Sequence, residues 1–308
     1  MTVVNFLRLD ENSGLLLCDE RVTGFLGRLY DVARKIFYVK DGCYMGISGN
    51  PTDCNEVLRL TKDKIDRFNI TSNREMEEVI REAYTEAKNK ALKDRLLSPY
   101  NLTWEDVSTR SLPDNLRNYI MDRIQRPPEN VWSASIVVGG FVDNGPFSIY
   151  HINYPGTIDQ SDYYGTTGSG GDRADIIFGD GIQEIEPTGP ERERTIPLGR
   201  GVRLIFDATR SGMRNRGVGG RGQLFYISKN FEHDVEIGPV RSYEIPEIRL
   251  FYNVLYLERK GILTEYDVDR VIGEVVEENM KAAEIISKLR RNIGDEKFSD
   301  EFFNNLHI

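Results

Sequence analysis

The chain has 308 residues, 39% of them hydrophobic and 28 of them glycine, with a net charge of −9. That length supports one large or two modest domains with a sizeable core, and the composition excludes a predominantly disordered chain. No apolar run approaches the ~20 residues of a membrane span, the start Met1-Thr2-Val3-Val4-Asn5 lacks the regions of a signal peptide, and the acidic balance argues against a general nucleic-acid binder. The three cysteines Cys18, Cys43 and Cys54 are too few and too separated for a disulfide framework, so a reducing, cytoplasmic setting is expected.

In chain order, residues 2–9 and 14–18 read as apolar strands joined by the turn Asp10-Glu11-Asn12-Ser13-Gly14. Two further strands are predicted at 35–39 and 43–48. After Gly49-Asn50-Pro51 the apolar period becomes helical through Val57, Leu58, Leu60, Ile65 and Phe68. A charged helix is predicted over 73–97, a loop from Ser98 to Pro113, and a shorter helix over 114–125 that stops at Pro127-Pro128. Strands return at 134–141 and 147–152, followed by a glycine-rich corner at Gly168-Ser169-Gly170-Gly171. A loop is predicted over 180–197, a helix over 199–213, a strand over 222–228, and helices from 246 to the end, with no internal repeat. Strands grouped as hairpins, with helices between the groups, imply antiparallel sheets covered by helical layers.

Conventional catalytic sets fit poorly. The three histidines fall in a strand (His151), in a loop (His233) and at the penultimate position (His307), and neither they nor the cysteines have zinc-ligand spacing, so no metal or cofactor is expected. The 168–171 corner is not a phosphate-binding loop, because no lysine-serine or lysine-threonine pair follows it. The run Gly217 to Gly222, preceded by Arg210, Arg214 and Arg216, could attract an anion, but reads more simply as a charged turn.

The N-terminus is more informative. A threonine behind the initiating methionine permits removal of Met1, leaving Thr2 with a free α-amino group beside its own hydroxyl. An α-amino group titrates near pH 7.7–8.0 in the absence of perturbation, so it can serve as base for that hydroxyl. A nearby lysine would push its pKa down, and a carboxylate would keep such a lysine charged. Asp19 and Lys35, at the ends of adjacent predicted strands, are suitably placed.

The elements Thr2-Val3-Val4, Asp19-Glu20-Arg21-Val22-Thr23, Lys35-Ile36-Phe37 and Gly46-Ile47-Ser48-Gly49 resemble those of proteasome β-subunits, in the N-terminal-nucleophile (Ntn) hydrolase superfamily. Tyr150–Tyr154 with the corner 165–170, and Arg203–Gly222 with the strand after it, resemble later parts of the same family. The resemblance covers about 2–68 and 131–238. It implies an α+β fold, a four-layer αββα sandwich of two antiparallel sheets with added helices. The Ntn domain would span 2–238, interrupted by a helical insertion at about 70–130 and followed by a helical extension over 239–308.

The resemblance also implies roles. Thr2 would be the nucleophile and its amine the base, Lys35 would tune that amine, Asp19 would orient Lys35, the Gly49 N–H would bind the oxyanion, and Ser169 would hydrogen-bond around the amine. Arg21, Thr23, Ala33 and Ile47 would bind substrate, Thr23 and Gly49 by strand pairing with an extended peptide; Ala33 and Ile47 favour a modest, uncharged side chain before the scissile bond. The family's late aspartate and serine correspond here to Asn215, which takes the aspartate's place in the catalytic set, and Val218. With only Met1 before Thr2, maturation needs an aminopeptidase alone.

The expected activity is threonine-dependent peptide hydrolysis of a peptide or protein substrate. Transpeptidation through the same acyl-enzyme and a non-catalytic scaffold are the alternatives, the latter favoured by Asn215 and Val218. The insertion and extension could cover ring-stacking surfaces. A monomer or a divergent homo-oligomer is therefore expected in place of the standard stacked-ring barrel.

Overall fold

The computed structural model describes residues 2–23, 29–31, 34–109, 112–143, 145–184, 195–214, 222–229, 240–243 and 245–293. The chain opens with the hairpin β1 (Val4–Arg8) and β2 (Ser13–Asp19), the short pair β3 (Arg21–Thr23) and β4 (Leu29–Asp31), and the hairpin β5 (Ile36–Lys40) and β6 (Cys43–Gly49). Then come α1 (Pro51–Arg67) and α2 (Asn73–Leu92), which continues as a π turn over Lys93–Leu97, and the shorter α3 (Trp104–Ser108) and α4 (Asp114–Gln125). Four strands follow: β7 (Ala134–Gly140), β8 (Ser148–Asn153), β9 (Thr157–Ser161) and β10 (Tyr164–Thr167). The helices α5 (Gly171–Gln183) and α6 (Leu198–Gly212), strands β11 (Gly222–Ser228) and β12 (Val240–Tyr243), and helices α7 (Ile245–Arg259), α8 (Glu265–Val276) and α9 (Ala282–Ile293) complete it.

Two antiparallel five-stranded sheets, ordered β10-β1-β2-β11-β12 and β5-β6-β7-β8-β9, form the two inner layers. The apolar run Gly14-Leu15-Leu16-Leu17-Cys18 has no polar alternation because both faces of β2 are buried. Leu15 and Leu17 pack under α5 to α9, while Leu16 and Cys18 join Val4, Phe6 and Val137 between the sheets. On the far side, Met45, Ile47, Ile136 and Val138 pack against Val57, Met76, Val79 and Ile80 of α1 and α2. The result is the α+β, four-layer sandwich with added helices.

Helix α1 starts where the sequence signals it: the Asn50 side chain accepts from the Thr52 N–H, and Pro51 occupies the first turn. The segment between α2 and β7 has its own small core of Leu92, Leu96, Leu97, Val107, Ile120 and Val131.

Several sequence expectations are corrected. The helix expected over 73–97 loses its α-helical pairing after Leu92. The loop expected from Ser98 to Pro113 contains α3, started by a reciprocal Thr103–Asp106 cap. The loop expected at 180–197 begins later, since α5 runs to Gln183, and residues 185–194 lie outside the described residues. Strands β9, β10 and β12 were not anticipated; they are short, and β9 is mostly solvent-facing polar residues.

Candidate active site

Four separate segments converge at the start of β1. The Thr2 N–H donates to Ser169 Oγ at 3.1 Å, and the Gly170 N–H donates to the Thr2 carbonyl at 2.9 Å. Beside them the Val3 N–H donates to Asp19 Oδ1 at 2.8 Å. Lys35 Nζ donates to the same oxygen at 2.7 Å and to the Arg21 carbonyl at 2.6 Å. Asp19 is fully buried and Lys35 only 4% exposed. A pair so enclosed is held by geometry as well as charge, since each ion must recover the hydration it loses.

Antiparallel pairing produces this convergence. β1 lies between β2 and β10, with Val4 opposite Cys18 on one side and Thr167 on the other. The residues just past those rungs, Thr2, Asp19 and Ser169, therefore meet at one end of the sheet. Lys35 arrives from the other sheet, one residue before β5.

The corner carrying Ser169 depends on Gly168. Its φ is +98°, and a Cβ there would lie 2.3 Å from the Thr2 carbonyl oxygen. Gly168→Ala is expected to cost about 1–3 kcal/mol from backbone strain alone, with a further loss from the clash, measurable by thermal or denaturant unfolding.

Gly49 ends β6 on the opposite sheet with φ +115°, so close to Ser133 that a Cβ would stand 2.2 Å from its carbonyl oxygen. Between the Gly49 and Ser169 arms runs a chain of hydroxyls. Ser48 Oγ and Thr167 Oγ1 are 2.7 Å apart, Thr167 Oγ1 and Ser135 Oγ 2.8 Å, and Ser135 Oγ donates to Asn153 Oδ1 at 2.6 Å. The Ser48–Thr167 bond crosses from one sheet to the other. Ser48 and Thr167 fall inside motifs already noted, but nothing in the sequence links them to each other or to Ser135 and Asn153.

Of the remaining expected site residues, Ile47 is buried against the α1 and α2 core, and Arg21 offers its carbonyl to Lys35. Thr23 lies in β3 opposite Leu29. Ala33, Asn215 and Val218 lie outside the described residues, as does the arginine-flanked glycine turn through Arg221. A cleft of about 670 Å³ opens at the β5 and β12 edges; its wall includes Glu20, Arg34 and Ile36, which flank the ion pair in sequence, and Gly222, opposite Asp19.

Thiol chemistry is disfavoured. Burial raises the Cys18 thiol pKa and pushes those of Cys43 and Cys54 up to about 12, so all three stay protonated at neutral pH. His151, in β8, is pulled below its ordinary value by burial. His233 and His307 lie outside the described residues.

A proteasome-subunit family model matches residues 11–95. Among solved structures, the chain is similar to an Anbu (Gly-1) mutant from Hyphomicrobium sp. strain MC1, with a TM-score of 0.54 and 14% identity over 80% of this chain and 87% of that one. No curated protein matches the sequence. The two likenesses agree on the fold: a proteasome-subunit match over residues 11–95, and an α+β sandwich of two antiparallel sheets like that of the Anbu structure.

Proposed function

We propose that the protein is an N-terminal threonine peptidase. The observation that carries this reading is the meeting of Thr2 N, Ser169 Oγ and the buried Asp19–Lys35 pair at the free end of β1. Once Met1 is removed, the Thr2 amine takes the proton from its own hydroxyl as Oγ attacks a peptide carbonyl. The tetrahedral oxyanion takes a hydrogen bond from the Gly49 N–H, an interaction whose loss in comparable sites costs roughly 3–4 kcal/mol. The ammonium returns the proton to the leaving amine, and an ester to Thr2 remains. Water, deprotonated by the same amine, then releases the acid.

In this reading Lys35 keeps positive charge beside the amine and favours its neutral, basic form. Ser169 orients the amine, and Asp19 holds both Lys35 and the Val3 N–H. Asn215 would stand in the catalytic set where the family has its aspartate. An extended peptide would pair with Thr23 and Gly49 as an added strand, with Arg21, Ala33 and Ile47 beside it. A peptide amine in place of water would turn the same ester into a new amide, which is the ligase form of the reaction. The three buried free cysteines support placing this chemistry in a reducing, cytoplasmic setting, and among the described residues no helix is long and apolar enough to cross a membrane. The added helices support a divergent homo-oligomer or a monomer over a stacked-ring barrel.

Asn215 and Val218 favour a second reading, a non-catalytic scaffold. Intact mass before and after a peptide epoxyketone separates the two. A peptidase shows loss of Met1 and one adduct that Thr2→Ala abolishes; retained Met1 without adduct leaves the scaffold.

A further inference from the structure

The π turn that continues α2 is linked to the end of β6 through the Arg95 side chain. Arg95 sits in the π turn over Lys93–Leu97, where the helix widens as it leaves α2. Such turns re-aim side chains and are frequent at functional sites. Arg95 Nη2 lies 2.7 Å from Asp53 Oδ1, and Nη1 donates to the Val131 carbonyl at 3.1 Å. Asp53 lies in the first turn of α1 and is buried. Its second oxygen accepts the Ser133 N–H at 3.0 Å.

Ser133 in turn governs the end of β6. Its carbonyl accepts the Asn50 N–H at 2.6 Å and lies against the Gly49 α-carbon closely enough to exclude any side chain. Asn50 also caps α1 through the Thr52 N–H at 2.9 Å. The guanidinium thus grips the segment entering β7 at two points, Val131 directly and Ser133 through Asp53. That segment fixes Gly49 and Asn50. Two donors in a planar fork suit this task, and a lysine supplies only a point charge.

We propose that Arg95 is a positioning residue for the Gly49 N–H, so that the π turn at the end of α2 sets the geometry of the oxyanion-binding arm. The proposal rests on the reading of Thr2 as nucleophile for its effect on rate, but not for its effect on the backbone. Because the transition-state oxyanion depends on this donor more than the bound substrate does, misplacement lowers kcat by a larger factor than it raises KM. The loss expected for Arg95→Met is roughly 10- to 100-fold, below that of removing an oxyanion donor outright.

The test compares wild type, Arg95→Met and Arg95→Lys by site-resolved amide hydrogen exchange, and by kcat and KM on a fluorogenic peptide. Arg95→Met is expected to speed exchange of the Asn50 and Ser133 amides at least tenfold, with amides of β8 unchanged and kcat reduced. Arg95→Lys, which keeps the charge and loses the fork, is expected to fall between. Wild-type exchange at Asn50 and Ser133 in Arg95→Met would overturn the proposal, as would a rise in KM with kcat intact. If wild type itself neither turns over peptide nor takes an epoxyketone, the peptidase reading fails, while the exchange comparison still decides whether Arg95 holds the arm.

Discussion

Replacing Asp19 by alanine is expected to destabilise the protein by about 3–5 kcal/mol, because it leaves the buried Lys35 ammonium without its counter-ion. Asp19 also accepts the Val3 N–H, so the change strips a partner from the β1 backbone at the same time. Urea unfolding should register the loss directly, and the melting temperature should fall by roughly 5–8 °C. A double replacement, Asp19→Asn with Lys35→Met, removes both charges and keeps similar volumes. It is expected to recover most of the stability and none of the peptidase activity. Parallel recovery of both would show that the pair serves structure alone.

The second large effect concerns Thr2. Thr2→Ala is expected to reduce peptide turnover by at least about 10⁴-fold, since the variant keeps the α-amine but has no hydroxyl for it to activate. Thr2→Ser keeps hydroxyl and amine and should retain measurable turnover and the single epoxyketone adduct. Unfolding curves of both variants should overlay that of wild type, because Thr2 is only partly buried and its backbone bonds to Ser169 and Gly170 survive. Equal turnover by wild type and Thr2→Ala would remove Thr2 from the chemistry.

The sequence reveals this fold best where strands are buried on both faces. Leu15-Leu16-Leu17 and Ile136-Val137-Val138 are unbroken apolar runs because helices cover one side and the opposite sheet the other. It reveals least at the edges. Thr157–Ser161 carries threonine, aspartate, glutamine and serine, since an outer strand needs little apolar surface. Helix α5 contains Gly179 and Gly181, poor helix formers, and owes its place to Ala174 and Phe178 packing inward. Gly181 is there because a Cβ would meet Leu204 of α6 at 2.4 Å.

The candidate site divides in the same manner. Thr2, Asp19, Lys35 and Gly49 lie within fifty residues, and their order and spacing are readable as a set. Ser169 is readable only through its glycine corner. The Ser48–Thr167–Ser135–Asn153 chain and the Arg95–Asp53 clamp are not readable at all. Their bonds join residues between 18 and 119 positions apart that, taken singly, look like ordinary surface polar residues.

The hydroxyl bond between Ser48 and Thr167 has a consequence for when the protein acquires its chemistry. Thr2, Asp19, Lys35 and Gly49 all fall in the first fifty residues, yet Thr167 and Ser169, which join them, arrive more than a hundred residues later. A nascent chain that ends before β10 carries those four residues without the strand that pairs with one edge of β1. Pairings this distant in sequence form late, after long loops have closed. If Thr2 is the nucleophile, its site is incomplete until β10 pairs with β1 and brings Ser169 to it, so a nascent chain that has not yet reached that corner has no assembled site.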